Sequence, residues 1–141
     1  MTRQEISEFF AKRDEAWQRH DSAALAADHT ENGEVDSPLF GKVEGHRAIQ
    51  NSYADFFSSF PDAQYLTENL LIDGNKVVQF IKMTGTQRCD FCGLPPTGKG
   101  FQMRCAFLFS FEDDRIAYEF RIYDFTGILV QLGVLKAKPA F

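Results

Sequence analysis

The sequence predicts an α+β fold in which helices cover one face of a curved, mainly antiparallel sheet. Three observations indicate this class. Helical patterns fill the chain up to residue 60, and four long strand-like runs joined by hairpin signals follow them. The chain also contains 15 phenylalanines, enough to fill a core or to line a pocket for a flat apolar ligand. We therefore expect a single domain over residues 1–141, a cone with three N-terminal helices on its closed side and an apolar mouth.

The three helices are predicted from apolar residues at helical spacing and from capping signals. Thr2 and Glu5 form a capping box for the first helix, over residues 2–19, and Arg13 falls on its apolar stripe. A short second helix follows. The third, over residues 45–60, carries a nearly all-aromatic stripe and ends before a proline. Aromatic stripes at this spacing usually belong to the core.

The strands are predicted from alternating patterns separated by turn residues. A short strand, residues 34–37, precedes the third helix, and its Asp36 is expected to face solvent. Residues 65–72 and 77–86 form a hairpin around an Asp-Gly-Asn turn. Residues 89–100 contain too many glycines and prolines for a regular strand, so they are predicted to form a long loop.

The last two strands, around residues 101–111 and 118–123, can be placed opposite each other by counting. With Asp113 and Asp114 at the centre of a tight turn, residue 112 pairs with 115 and residue 111 with 116. Continuing this register puts four pairs on one apolar face: Phe109 with Tyr118, Phe107 with Phe120, Cys105 with Ile122 and Met103 with Asp124.

Asp124 is the polar residue of this face that needs an explanation. Desolvation among apolar neighbours would raise the pKa of its carboxyl, which suits a group that takes and gives a proton near neutrality. A second interpretation is structural. The segment after it has helical spacing and ends at Gly133, so Asp124 is also a candidate N-cap of a short helix. The two roles are compatible.

The net charge and the cysteine content argue against several functions, including nucleic-acid binding, membrane binding and metal binding. A net charge of −5 and a pI near 5.1 argue against a nucleic-acid surface and against binding to an anionic membrane. The opening residues lack an apolar signal region, and an odd set of cysteines (Cys89, Cys92 and Cys105) is typical of a reducing compartment, so we expect a cytoplasmic protein. Cys89 and Cys92 form a CxxC without a second ligand pair, so structural thiols are favoured over a metal site.

Several short motifs together resemble the SnoaL-like polyketide cyclase family, which belongs to the NTF2-like, ketosteroid-isomerase-like superfamily. The motifs span nearly the whole chain, and GLPPTGK together with an aspartate that is separated from QLG by six residues is fairly specific. They are Trp17 with His20-Asp21, the segment 45–49, Phe60-Pro61-Asp62, Gly85-Thr86, the segment 93–99, and Asp124 with Gln131-Leu132-Gly133.

The resemblance implies a cone-shaped α+β barrel, often dimeric, with no metal and no organic cofactor. It also implies a small lipophilic molecule as ligand and intramolecular aldol ring closure, with Asp124 as general acid/base. One position departs from the family. Gln87 stands where a histidine is common, and an amide cannot take a proton at neutral pH. Leu108 and Tyr123, expected on the outer face of the sheet, weakly support a homodimer.

These considerations predict a site. Asp124 is the catalytic residue, and the sheet supplies the floor of the pocket. Trp17, Tyr53 and Phe57 are the expected walls, with Gln87 as a polar contact at the rim. The expected floor residues are Met103, Cys105, Phe107, Phe120 and Ile122.

Three functions remain open from the sequence. The first is a cyclase acting on a polyketide-like carbonyl compound by proton transfer next to a carbonyl. The second is an isomerase or epoxide hydrolase that uses the same pocket. The third is a non-catalytic binding or dimerisation module in which Asp124 only caps a helix.

Overall fold

The computed structural model describes residues 1–136. Within them, one six-stranded sheet is covered on one side by helices. The helices are α1 (Arg3–Gln18), α2 (Ser22–Ala27), α3 (His46–Ser59) and α4 (Phe125–Gln131), and the strands are β1 (His29–Ser37), β2 (Gly41–Glu44), β3 (Gln64–Asp73), β4 (Lys76–Thr86), β5 (Gly100–Glu112) and β6 (Arg115–Ile122).

The predicted helices are confirmed, together with their caps. The Thr2 hydroxyl accepts from the backbone N–H of Glu5, and the Glu5 carboxylate accepts from that of Thr2, which completes the capping box. Asp21 caps α2 through the N–H of Ala24. Gly45 precedes α3 with φ of 86°, a conformation that favours glycine.

The sheet has the order β2-β1-β6-β5-β4-β3 and is antiparallel except where β1 pairs with β6. The class and the hairpin around Gly74 are as predicted, but β1 is longer than expected and β2 was not predicted. Both strands are polar and carry turn residues, so an alternating apolar pattern is missing from them.

Most of the phenylalanines build the core between the helices and the inner face of the sheet. Near one end, Phe10 of α1 packs edge-to-face against Phe109 and Phe111 of β5. Near the other, Phe60 packs in the same way against Phe91 and Phe101. These two clusters flank the region between α1, α3 and the middle of the sheet, where the functional site lies.

The predicted register of β5 and β6 is correct at the turn and wrong beyond it. Glu112 pairs with Arg115 and Phe111 with Ile116, but the next pair is Ser110 with Tyr118. Ala117 therefore has no partner and forms a β-bulge. One extra residue moves all later side chains of β6 to the opposite face.

As a result, Glu119 and Arg121 point to the inner face, opposite Phe109 and Phe107. The expected floor residues Phe120 and Ile122 lie instead on the outer face, where they are 36% and 59% exposed. The assignment of these two residues to the pocket is therefore wrong.

Candidate active site

A narrow, mainly apolar cavity lies between α1, α3, α4 and the inner face of the sheet. The volume of the cavity is about 50 Å³. Phe40, which is 40% exposed, lies where the cavity meets solvent. The lining side chains are Trp17, Leu39, Phe40, Ser52, Tyr53, Phe56, Met83, Phe91, Met103, Phe107, Arg121, Tyr123, Phe125 and Ile128.

A second, more polar cavity adjoins the first and shares Phe40, Phe56 and Phe91 with it. Its volume is about 230 Å³, and Asp55 and Asp90 also line it. The shared phenylalanines separate the two spaces.

The structure brings four of the nine predicted binding residues to the inner cavity. Trp17, Tyr53, Met103 and Phe107 line it, as expected. Phe57 and Cys105 are buried in the core beside it and are not lining residues. Burial raises the pKa of the Cys105 thiol to about 12, although Arg121 lowers it, so this thiol stays neutral.

Gln87 has a structural position rather than the predicted place at the rim. Its side chain is completely buried and holds the loop between β4 and β5. The amide nitrogen donates to the carbonyl oxygens of Leu94 and Pro95, both at 3.1 Å, and the amide oxygen accepts from the Thr97 hydroxyl at 3.1 Å. Its donors and acceptor are thus used within the protein, as buried polar groups require.

Asp124 lies at the start of α4 and is exposed, so the apolar surroundings predicted for it are wrong. Its carboxylate accepts from the backbone N–H of Gly127 at 2.8 Å, which is the geometry of an N-cap. Phe125 and Ile128 of the same helix line the cavity, whereas Asp124 does not. The helix-capping interpretation therefore describes its contacts.

The acid of the inner face is Glu119, which is completely buried beneath the cavity. One carboxylate oxygen accepts from Arg13 Nη2 at 3.2 Å and faces His29 Nε2 at 3.1 Å. The other accepts from Arg121 Nε. Buried charges are tolerated when they are paired and hydrogen-bonded in this way.

The neighbouring cations determine the charge of this carboxylate. Burial alone would raise the pKa of Glu119, but the guanidinium groups of Arg121 and Arg13, with His29, outweigh burial and hold the pKa well below the ordinary value of 4.5. The same carboxylate keeps both guanidinium groups charged despite their burial. Glu119 is therefore an anion whose acceptor sites are occupied, unsuited to exchanging protons with a substrate.

Tyr53 connects this ionic cluster to the cavity. Its hydroxyl oxygen accepts from Arg13 Nη2 at 2.5 Å and from Arg121 Nη2 at 2.7 Å. Burial raises the pKa of Tyr53 more than the two guanidinium groups lower it, so the hydroxyl keeps its proton. Both lone pairs of the oxygen are engaged, and among residues 1–136 the hydroxyl proton has no acceptor. Tyr53 is also a lining residue of the cavity.

Arg121 is the cationic group of the cavity wall. Its side chain is 14% exposed, its Nε and Nη2 are bound to Glu119 and Tyr53, and Nη1 has no hydrogen-bond partner among the described residues. The guanidinium carbon lies 4.8 Å from the Phe107 ring centre and 5.1 Å from that of Tyr53. It is thus held in one orientation.

Arg121 and Glu119 were not predicted as site residues, because the alternation of apolar and polar residues in β6 gives no sign of the bulge at Ala117. A signal did exist in α1. Arg13 falls on the apolar stripe of that helix, where a cation needs a buried partner. Its acidic partners are Glu119 on the facing sheet and Asp28 at the end of α2.

No set of three or more His, Cys, Asp or Glu side chains comes together as a metal-ligand group within residues 1–136. Cys89 and Cys92 are exposed free thiols in the loop after β4, and no helix of the described chain is long and apolar enough to cross a bilayer. Histidines are used for structural contacts: His20 stacks on Phe57 and His46 bonds to the carbonyl oxygen of His29.

Comparison with known proteins identifies the family and the fold of the chain. The model of the SnoaL-like polyketide cyclase family matches residues 9–132. The chain belongs to this family. A search of the curated proteins finds no match.

Solved structures show the same fold at low sequence identity. AclR from Streptomyces galilaeus, which carries a hydroxylase assignment, is 20% identical with a TM-score of 0.85 over 99% of this chain and 91% of that one. A SnoaL-like cyclase by name from Jannaschia sp. CCS1 is 19% identical with a TM-score of 0.80 over 94% of both chains. A protein with a ketosteroid isomerase-like fold from Catenulispora acidiphila is 16% identical, with a TM-score of 0.77 over 96% of both. These structures confirm the predicted fold. At such low sequence identity they do not indicate which substrate this chain binds.

Proposed function

We propose that the protein binds a flat, lipophilic carbonyl compound of the polyketide type in the inner cavity and directs its ring closure. The observation that carries this proposal is the pair of hydrogen-bond donors on an otherwise apolar wall. Arg121 Nη1 and the Tyr53 hydroxyl are both free towards a ligand, and both are held in place by the buried Glu119 and Arg13. Membership of the SnoaL-like family supports the reaction class.

The two donors stabilise negative charge on a carbonyl oxygen. When a methylene between two carbonyls loses a proton to water, the charge moves to oxygen, where a guanidinium and a phenol hold it in an apolar setting. The enolate carbon then attacks a second carbonyl of the same molecule, forming the new carbon–carbon bond. The resulting alkoxide takes a proton from water. The enclosing aromatic rings hold the chain folded, and such orientation contributes about 7–11 kcal/mol in well-aligned systems.

The test is loss of turnover on removal of either donor. The assay uses an aryl β-keto ester that closes a ring by intramolecular aldol reaction, followed by chromatography. We expect Tyr53→Phe to lower kcat by about 10²-fold, as the loss of one oxyanion donor does, and Arg121→Met by at least as much. Tyr118→Phe and Arg104→Met are matched controls, since both side chains hydrogen-bond to acids away from the cavity. Equal turnover in all four variants would contradict the proposal.

A non-catalytic carrier is the second candidate, because no carboxylate and no imidazole is among the lining residues of the inner cavity. A carrier would bind the same β-keto ester and release it unchanged. Binding without turnover above the buffer rate, measured on the same samples, would favour this role.

We also propose that the outer face of the sheet packs against a second copy of the chain. One row of cross-strand neighbours is apolar over four strands: Phe120, Leu108, Val78 and Leu71. Asp36 ends this row on β1, and the basic residues Lys82 and Arg104 lie on the opposite side of the face. A twofold axis through this face would bury the apolar row of one copy against that of the other, as in an isologous interface.

A further inference from the structure

The polar groups of the inner cavity are almost all hydrogen-bond donors. Arg121 Nη1 and the Tyr53 hydroxyl are free, as described above. The indole of Trp17 also lines the cavity, and its Nε1–H has no acceptor among residues 1–136. The Ser52 hydroxyl is already used, since it donates to the carbonyl oxygen of Ile49 at 2.7 Å. The ligand therefore has to supply acceptors.

The charges around this wall are arranged with the cation towards the ligand. Arg121 faces the cavity, whereas its counter-ion Glu119 is buried behind it and is shared with Arg13 and His29. Asp28 is bound to Arg13 and is not a lining residue either. Two carboxylates thus balance two guanidinium groups, but neither carboxylate lines the cavity, so Arg121 presents the cationic side of this cluster to a ligand.

We propose that the cavity selects the ionised form of its ligand: an enolate or phenolate oxygen on a flat ring, bound by Arg121 Nη1 and the Tyr53 hydroxyl. This rests on the proposed function, because it defines the ligand class for the same cavity. An anionic oxygen accepts stronger hydrogen bonds than a neutral carbonyl, and the surrounding aromatic rings limit screening by water.

Other titratable groups near Arg121 do not change this assignment. Tyr53 of α3, and Tyr123 and Cys105 on the sheet side, have raised pKa values through burial and remain neutral. Arg13 of α1 adds positive charge, and Glu119 is saturated. The whole chain carries −5, so unspecific attraction would disfavour an anion and any preference for one has to be local.

The experiment compares two probes of nearly equal shape by isothermal titration. The first is 2-hydroxy-1,4-naphthoquinone, an acidic enol whose visible absorption changes on ionisation; the second is 2-methoxy-1,4-naphthoquinone, which cannot ionise. We expect the ionised hydroxy compound to bind at least tenfold more tightly than the methoxy compound. The hydroxy compound is a vinylogous carboxylic acid that is already ionised at neutral pH, so the titration compares an anion with a neutral compound, and the absorption in the complex should remain that of the anion.

Variants show which residues cause the preference for the ionised probe. Arg121→Met and Tyr53→Phe should each reduce the ratio of affinities, because the loss is larger for the anionic oxygen than for the neutral carbonyl oxygens of the methoxy compound. Arg104→Met, on the outer face of the sheet, should leave it unchanged. Thermal unfolding of each variant shows whether it is folded, and Tyr53→Phe keeps the test valid if Arg121→Met does not fold.

The outcomes separate the two proposals. If both probes bind equally, the anion preference is overturned and the proposed function stands. If neither probe binds, both proposals fail, because the cavity then does not accept a flat carbonyl compound. A preference that survives in both Arg121→Met and Tyr53→Phe would overturn the assignment to these residues.

Discussion

At the scale of single residues, Glu119 explains most of the site. It is the completely buried partner of Arg121 and Arg13, and through them it fixes the Tyr53 hydroxyl. Glu119 does not touch the cavity, so we regard it as a positioning residue. Its contribution is to keep two guanidinium groups oriented within a region that is otherwise aromatic.

Replacing Glu119 should destabilise the fold. Glu119→Gln leaves the buried Arg121 without a counter-ion and Arg13 with Asp28 alone, and breaking a buried ion pair in this way costs about 3–5 kcal/mol. The free energy of unfolding from urea titration measures this loss. Glu68→Gln, which removes the exposed partner of Arg104, is the matched control and should change the value by less than about 1 kcal/mol.

The same residue predicts an acid-dependent stability. Its pKa is lowered on folding, so the stabilisation is fully present above the ordinary glutamate value of 4.5 and is lost progressively as the pH falls below it. The unfolding midpoint of the wild type should therefore drop steeply below about pH 5, beyond the loss from other carboxylates. Glu119→Gln should show a shallower slope there, and an unchanged slope would disprove the assignment.

Asp124 should matter for stability and little for turnover. Removing its cap with Asp124→Ala should cost about 1 kcal/mol, the usual value for an N-cap, whereas Asn keeps the hydrogen bond to the Gly127 N–H. Asp124→Asn should thus match the wild type in both urea unfolding and turnover. A folded Asp124→Asn protein that has lost turnover would instead support the acid/base role expected from the family resemblance.

At the scale of elements, the β-bulge at Ala117 decides which residues form the site. The sequence was sufficient to predict the helices with their caps, the hairpins and the turn at Asp113, because these depend on local signals. It could not show the bulge, since Ala117 looks like any alternating strand residue. One unpaired residue was enough to exchange Phe120 and Ile122 for Glu119 and Arg121 on the inner face.

The position of the bulge also explains why only some of the predicted pocket residues line the inner cavity. Trp17, Tyr53, Met103 and Phe107 were placed correctly because they lie on helices or on β5, where no bulge intervenes. The strands β1 and β2 were harder to predict. β1 is stabilised by pairing with the distant β6, and β2 by pairing with β1, and local patterns do not contain the contact to β6.

At the scale of the whole molecule, the cone has an apolar inside and an unusually apolar outside. Phe80, Phe120 and Ile122 are large apolar side chains that remain at least 36% exposed on the outer face of the sheet. Contiguous apolar surface of this kind usually marks an interface. Neighbouring Lys82 and Arg104 limit its extent on one side.

A charged residue in this face should prevent self-association. We expect light scattering to give the mass of a dimer for the wild type and that of a monomer, 16.1 kDa, for the double variant Phe120→Glu and Ile122→Glu. Leu135→Glu, an exposed apolar residue that follows α4 and lies outside the sheet, is the matched control and should remain dimeric. A monomeric wild type at micromolar concentration would rule out the second-copy assignment.

The central claim is that a carbonyl-derived oxygen binds between Arg121 and Tyr53. A crystal structure of the protein with 2-hydroxy-1,4-naphthoquinone tests this most directly. We predict the ring between Trp17 and Phe107, with one oxygen about 2.7–3.2 Å from both Arg121 Nη1 and the Tyr53 hydroxyl. A ring that lies outside the inner cavity, or one whose oxygen bonds to Asp124 and leaves Arg121 and Tyr53 unoccupied, would contradict the account.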